Sequence, residues 1–405
     1  MFKISILQVR SIPNIAALAA LVCFLLLPLP SSGHAADAEM TLAGFAFAGQ
    51  FGDAPKRYPY TYKIFKRLQG ANSLSAHVLR RSKNINNPAF EIRPFNSLLD
   101  LKERDRALMA VLLLTDEVVS TENYGRYHKT FINLRGDVFI FDYKNQVVVR
   151  TYPLNTVLFD ATPTAPGEKQ ILAFVENMLL TESESGLISL FAQKLAAASL
   201  PQEGTRTIQI RNVEVTPESL AMMPPALREF PQSGAAERMI ADMFASELST
   251  QTGVPLMPSS IGHAVGGVMT MCLEDGNDMR LKVDDGDYLF DLKLNRLVKV
   301  KTSENKIGTA YVYGAYASVR FYEPTLNSVF INADFKNGES AVVPIAQVAA
   351  DDFPGYQDAI RGLFRKFSAS LQDPRSPWAR TATGAKDKDI ASQLKAANDI
   401  LRRCK

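Results

Sequence analysis

The alternation of apolar and polar positions is clearest between Ala107 and Asp160. From Phe131 to Asp142, Ile132, Leu134, Val138 and Ile140 fall on one face and Asn133, Arg135 and Asp137 on the other, the period of a half-buried strand. Tyr143-Lys144-Asn145-Gln146 turns the chain. Val147 to Tyr152 then reads as the returning strand of an antiparallel hairpin with one dry face, and the apolar run Leu108 to Val119 as a neighbouring buried strand. A looser copy of the pattern returns between Thr309 and Phe335, which predicts an internal duplication.

The remaining periodicities fill in two similar units. Thr41 to Phe51 predicts a first strand, and Tyr60 to Gln69 a helix ended by Gly70. Ser97 with Asp100 forms a capping-box pattern for a helix over Leu98 to Arg106. Helices follow from Pro166-Gly167 to about Thr181 and over Gly186 to Ser199. In the second half Met239, Ile240, Met243, Phe244 and Leu248 share one face of a helix over Gly234 to Thr252, with Gly253 where a left-handed cap belongs. Val254 to Met257, Ile261 to Leu273, Tyr288 to Lys301 and Thr309 to Tyr322 read as strands. Val329 to Phe335 follows a turn two residues longer than its counterpart. Leu190-Phe191 with Lys194 answers to Leu363-Phe364 with Lys366 in the closing helices. Pro374, Pro377 and Trp378 mark a break, after which Ile390, Leu394, Ala397 and Leu401 recur at helical spacing. The expectation is a mixed α/β (α+β) fold of two sheet-plus-helix domains, residues 40–200 and 205–372, joined near Pro201 to Thr205. A tail over 373–405 ends in a short amphipathic helix that docks on its parent domain.

This order of elements, with the helix at Ala236 to Thr250, the short strand at Val254 to Met257, the long strand at Leu108 to Val119 and the hairpin at Phe131 to Tyr152, resembles the small α/β domain of the curli-secretion channel family. It is similar also to the amino-terminal domain of the Tol system's propeller protein. The resemblance implies a part in envelope assembly or secretion through protein contacts. It brings no functional residues with it.

Composition supports this picture. The 405 residues are 46% hydrophobic and 21% charged, a chain that buries cores, and its length suits two domains. Lys3 and Arg10 precede a 13-residue apolar run, Ile15 to Leu27, and then small residues at Gly33, Ala35, Ala36 and Ala38. That is the pattern of a secretory signal over residues 1–35, too short for a membrane span of about 20 residues. Ala20-Leu21-Val22 before Cys23 does not fit a lipidation site. Removing Lys3 and Arg10 lowers the formal net charge from +3 to +1, so total charge points to no polyanion partner. Beyond the signal only Cys272 and Cys404 remain. Together they permit one disulfide; the alternatives are a buried Cys272 and a free Cys404.

Catalytic and metal-binding signatures are sparse. Ser259 and Ser260 with His263 are the candidates for a secreted hydrolase, but no glycine elbow surrounds either serine. Gly262, Gly266 and Gly267 lack phosphate-loop and dinucleotide spacing. The acidic stretch from Glu274 to Asp291 breaks the calcium-loop pattern at Met279, and its Asp275-Gly276 and Asp285-Gly286 pairs suit hairpin turns. No cofactor is implied. Between Asp53 and Glu91 the chain carries no acid but has Lys56, Arg57, Lys63, Lys66, Arg67, Arg80, Arg81 and Lys83, interleaved with Tyr58, Tyr60 and Tyr62. Such a segment suits an anionic glycan, lipid or protein face, and no nucleic-acid motif accompanies it. The expected activity is therefore non-enzymatic binding or assembly in the envelope, with an envelope protein, an anionic surface or a second copy of the chain as partner. The rivals are the hydrolase using Ser260 and His263, and a carrier holding a small apolar ligand between the domains.

Overall fold

The computed structural model describes residues 38–94, 107–123, 125–202, 204–228, 234–259, 266–306, 308–344, 351–383 and 389–405. The signal segment, the helix expected over Leu98 to Arg106, and Ser260 with His263 lie outside them. The fold is mixed α/β, with one seven-stranded and one four-stranded sheet.

In the first half β1 (Glu39–Ala48) is followed by helices α1 (Pro59–Arg67) and α2 (Leu74–Ser82) and by β2 (Glu91–Pro94). Three long strands form a meander: β3 (Leu108–Asn123), β4 (His128–Asp142) and β5 (Val147–Thr162). Helices α3 (Glu168–Leu180) and α4 (Leu187–Ala196) close the unit. The second half repeats the arrangement. Strand β6 (Ile208–Val215) precedes α5 (Ala235–Thr252), and β9 (Tyr288–Glu304), β10 (Gly308–Glu323) and β11 (Ser328–Pro344) form another meander before α6 (Phe353–Gln372). In both halves the first strand runs parallel to the first strand of the meander, β1 to β3 and β6 to β9. Both second turns of the meanders span four residues, and each ends on a left-handed residue, Gln146 at φ 53° and Asn327 at φ 49°. The turn before β11 is thus not the longer one that the sequence suggested.

One hairpin breaks the symmetry. Strands β7 (Val268–Leu273) and β8 (Asp278–Lys282) stand between α5 and β9 in sequence, yet β8 pairs with β5 and β7 pairs with β1. They bring the edges of the first sheet together, so that sheet closes on itself. Its inner face is filled by Met109, Val111, Leu113, Phe139, Phe141, Met269, Met271 and Leu281. Its outer face packs Ala110, Leu112, Leu114, Ile132, Leu134, Val138 and Ile140 against the helices. Residues 108–114 therefore read as an unbroken apolar run because both faces of β3 are dry.

The second sheet lays Phe290, Val319, Phe321, Ile331 and Phe335 under α5 and α6. The tail docks here. Helix α7 (Pro377–Thr383) brings Trp378 parallel to Phe335 at 6.1 Å between ring centroids, and α8 (Ile390–Arg403) buries Ile390, Leu394, Ala397 and Leu401. Helix α5 ends at Gly253 in the left-handed conformation, φ 71°, as its sequence required. The Asp-Gly pairs divide: Asp275-Gly276 turns the β7–β8 hairpin, while Asp285-Gly286 lies in the passage from one sheet to the other, where Gly286 N donates to Gln209 Oε1 at 3.2 Å. Among the described residues no helix is long and apolar enough to cross a membrane.

Strand β1 shifts register against β3 between Leu42 and Gly44, where Gly44 has φ 90° and a Cβ would stand 2.5 Å from Ser75 Oγ. That hydroxyl accepts a bond from Phe45 N at 3.0 Å, so α2 grips the bulge. Gly44→Ala should lower stability by about 2 kcal/mol or more through strain and collision together. Urea unfolding measures this; an unchanged midpoint would show that β1 relaxes freely there.

Candidate functional site

The polar face of β4, which the sequence leaves to water, is buried under the second half of the molecule. Asn133 is 3% exposed and Arg135 6%. The Arg135 guanidinium contacts the Asp116 carboxylate of β3, and its Nε lies 3.0 Å from Asp242 Oδ2 of α5. One cation thus ties the two halves together through a carboxylate from each. Burial pushes its pKa down from the usual value while Asp242 pushes it back up. Among the described residues Arg135 Nη1, a donor, and Asn133 Oδ1, an acceptor, have no hydrogen-bond partner, and Arg135 Nε meets Asp242 Oδ2 as an ion pair without a hydrogen bond.

Beside them opens a cleft of about 310 Å³ between the β3–β4 hairpin and the N-terminal ends of α5 and α6. Phe131, Phe159, Leu227, Met239 and Phe353 give it apolar walls, and Lys129, Phe131, Asn133 and Arg135 line it from alternate positions of β4. Phe131 and Phe159 pack with centroids 5.1 Å apart, and Lys129 Nζ sits 5.2 Å over the Phe159 ring. Glu122 of β3 is hydrogen-bonded to Asp351, which precedes α6. Burial and that carboxyl neighbour push Asp351 up to about 7, so Asp351 keeps its proton to near neutrality beside Glu122. A wider hollow of about 580 Å³ beside Arg296 and Tyr316 lies open on the second sheet, without a buried unpartnered atom among the described residues.

No family model and no curated protein matches this chain. Two solved structures show a distant likeness. A minor lipoprotein from Acinetobacter baumannii is 9% identical over 43% of this chain and 96% of its own, with a TM-score of 0.22. A neuraminyllactose-binding hemagglutinin homolog from Helicobacter pylori is 10% identical over 41% of this chain and 97% of its own, with a TM-score of 0.20. At these scores neither likeness carries the other protein's fold or function to this chain. Neither is described as a curli channel or a Tol propeller domain, the two types that the element order resembles.

The basic segment forms α1, α2 and their flanks. All eight of its cations are exposed, but acids remote in sequence meet some of them. Lys63 pairs with Glu168 and Arg67 with Glu176 at 2.6 Å, both on α3. Arg81 Nη2 donates to the Glu182 carbonyl at 2.8 Å, Arg80 lies 3.0 Å from His77 Nδ1, and Arg57 Nη1 donates to the Ala48 carbonyl at 2.9 Å. Lys66 lies over the rings of Phe51 and Tyr62 at 5.2 and 5.3 Å, while Lys56 and Lys83 project into solvent. Tyr60 and Tyr62 are half-buried. Tyr58 is fully buried, its hydroxyl donating to the Ala48 carbonyl at 2.8 Å, so it offers no surface to a partner. Glu117 caps the start of α1 by accepting from Tyr60 N and Thr61 N, each at 2.8 Å.

The disulfide that Cys272 and Cys404 permit is not formed: both are buried free thiols, one in the first-half core and the other at the C-terminal end of α8, in the second-half core. Cys404 is thus free, as the alternative has it, but buried. Ser259 Oγ donates to the Ile210 carbonyl at 3.3 Å. The acidic stretch disperses over the fold: Glu274 accepts from Ser75 N at 3.0 Å, Asp278 from Phe51 N at 2.9 Å and Asp287 from Thr207 N at 2.8 Å.

Arg135→Met keeps the volume but strands Asp116 and Asp242, and should cost about 3 kcal/mol. Urea unfolding followed by circular dichroism checks this, and a wild-type midpoint would remove Arg135 as the tie. Asp351 binds its proton more tightly folded than unfolded, where 3.8 applies, so its contribution is full below about pH 4 and lost as pH rises through 7. Asp351→Asn should accordingly raise the melting temperature most at pH 8 and by clearly less at pH 5. Equal shifts at both pH values would refute the retained proton.

Proposed function

We propose that this chain is an exported, non-enzymatic binding component of the cell envelope, whose ligand sits in the cleft between its two halves. The observation that carries the reading is the cleft itself. Its 310 Å³ falls within the roughly 300–1,000 Å³ of small-ligand sites, and it combines apolar walls with a few converging polar groups. Those groups are carboxyls, guanidiniums, an amine and the amides of Asn133 and Gln357, a set that suits holding a ligand. Glu122 and Asp351 touch each other, whereas glycoside hydrolysis needs carboxyls about 5 Å or more apart. Export is supported by the basic, apolar and small-residue pattern at the start of the chain. The exposed cations around α1 and α2 give the same molecule a second, salt-sensitive contact for an anionic envelope partner, with Lys63 and Arg67 already balanced by Glu168 and Glu176.

A neutral apolar dye tests the cleft directly. Nile red should bind the wild-type protein one to one, and Ser120→Trp, which places an indole at the cleft wall, should weaken binding about tenfold or more, an indole and the dye competing for one space. Equal binding by both proteins, with equal melting temperatures, would place the apolar site elsewhere, and no binding by either would end the reading.

A further inference from the structure

The cleft's polar atoms specify more than an apolar guest. Asn133 and Arg135 stand two residues apart on the same face of β4, both more than nine-tenths buried, and both line the cleft. Among the described residues Asn133 Oδ1 lacks a donor and Arg135 Nη1 lacks an acceptor. Buried polar atoms without partners are costly, and native proteins keep few of them. An extended peptide residue, whose own N–H and C=O point to the same edge, would satisfy both at once. A carboxylate would answer Arg135 but leave Asn133 Oδ1 facing another acceptor. It would also stand among the carboxylates of Asp116 and Asp242.

The other polar feature of the cleft is short of positive charge. Glu122 and Asp351 reach the same point from the two halves and Asp351 keeps its proton there, even though Lys129 faces Glu122 from β4. Lys129 also lies over Phe159, and Asp358 of α6 is a further carboxyl in its field. The next acid, Asp352, is already engaged with Lys299 Nζ at 2.6 Å and Tyr313 Oη at 2.7 Å. A ligand amine at Glu122 and Asp351 would do what that proton does, with charge-assisted bonds to both carboxyls.

We infer that the cleft binds a short peptide with apolar side chains, one residue's N–H and C=O on Asn133 and Arg135 and its free α-amino group between Glu122 and Asp351. The side chains lie against Phe131, Phe159 and Phe353. The inference deepens the binding role proposed above and rests on it.

Calorimetry with leucyl-phenylalanyl amide, its N-acetylated form and decanoate tests the assignment on the full protein. The free-amine peptide should bind and displace Nile red, and acetylation should weaken it about tenfold or more, the scale of a lost charge-assisted pair. Glu122→Gln should erase the difference between the two peptides, and Asn133→Leu should weaken both peptides by more than it changes dye affinity. Dye binding without peptide binding, equal affinity for the two peptides, or tighter binding of decanoate would each overturn the peptide assignment and leave the cleft reading standing. Failure of every probe would sink both.

Discussion

The structure depends on a single guanidinium. Arg135 is taken out of water by the packing of α5 on the first sheet, and a lone buried cation would cost several kcal/mol. Asp116 and Asp242 offset that cost, and each belongs to a different half, so the charge is compensated only when the halves are assembled. Such an ion triad adds little net stability beside an apolar replacement of the same shape. What it does is reject other alignments, since any slip of α5 along β4 separates the charges. The same register sets the walls of the cleft, because Met239 and Asp242 lie on one helix, about one turn apart.

Much of the architecture was legible in the pattern of the chain. The alternation from Phe131 to Asp142, the apolar run of β3, the Gly253 cap of α5 and the docked tail all follow from local periodicity, and each stands where its residues put it. The site was not legible, for a physical reason. Asn133, Arg135 and Asp137 carry the signature of a wetted face, and a period of two cannot distinguish water from a second domain as the neighbour of that face. Asp116, Asp242, Glu122 and Asp351 are single acids scattered over the sequence, ordinary at every position until the fold brings them together. The basic segment shows the reverse error: it looked uncompensated because Glu168 and Glu176 lie some hundred residues away in the chain.

Both halves present the same sequence of strands, a parallel pair followed by a long antiparallel meander, but they do not play the same part. The first sheet is sealed on both faces and closed by a borrowed hairpin. The second keeps one face open, where Arg296 and Arg320 lie over Tyr316 and Tyr322. The cleft lies where the sealed half meets the helices of the open one. Ligand groups held there would touch both units simultaneously, which gives binding a way to stiffen their junction without altering either core.

The borrowed hairpin also sets a timetable. β1 cannot acquire its neighbour β7 until more than two hundred further residues have been made, since Ala46 to Ala48 meet Met271 to Leu273. Pairings so distant in sequence close slowly, and until they form the inner face lined by Met109, Val111 and Phe139 remains uncovered. Pairing of β7 with β1 is thus the step that takes this apolar face out of water, and it draws on residues from the far half of the chain.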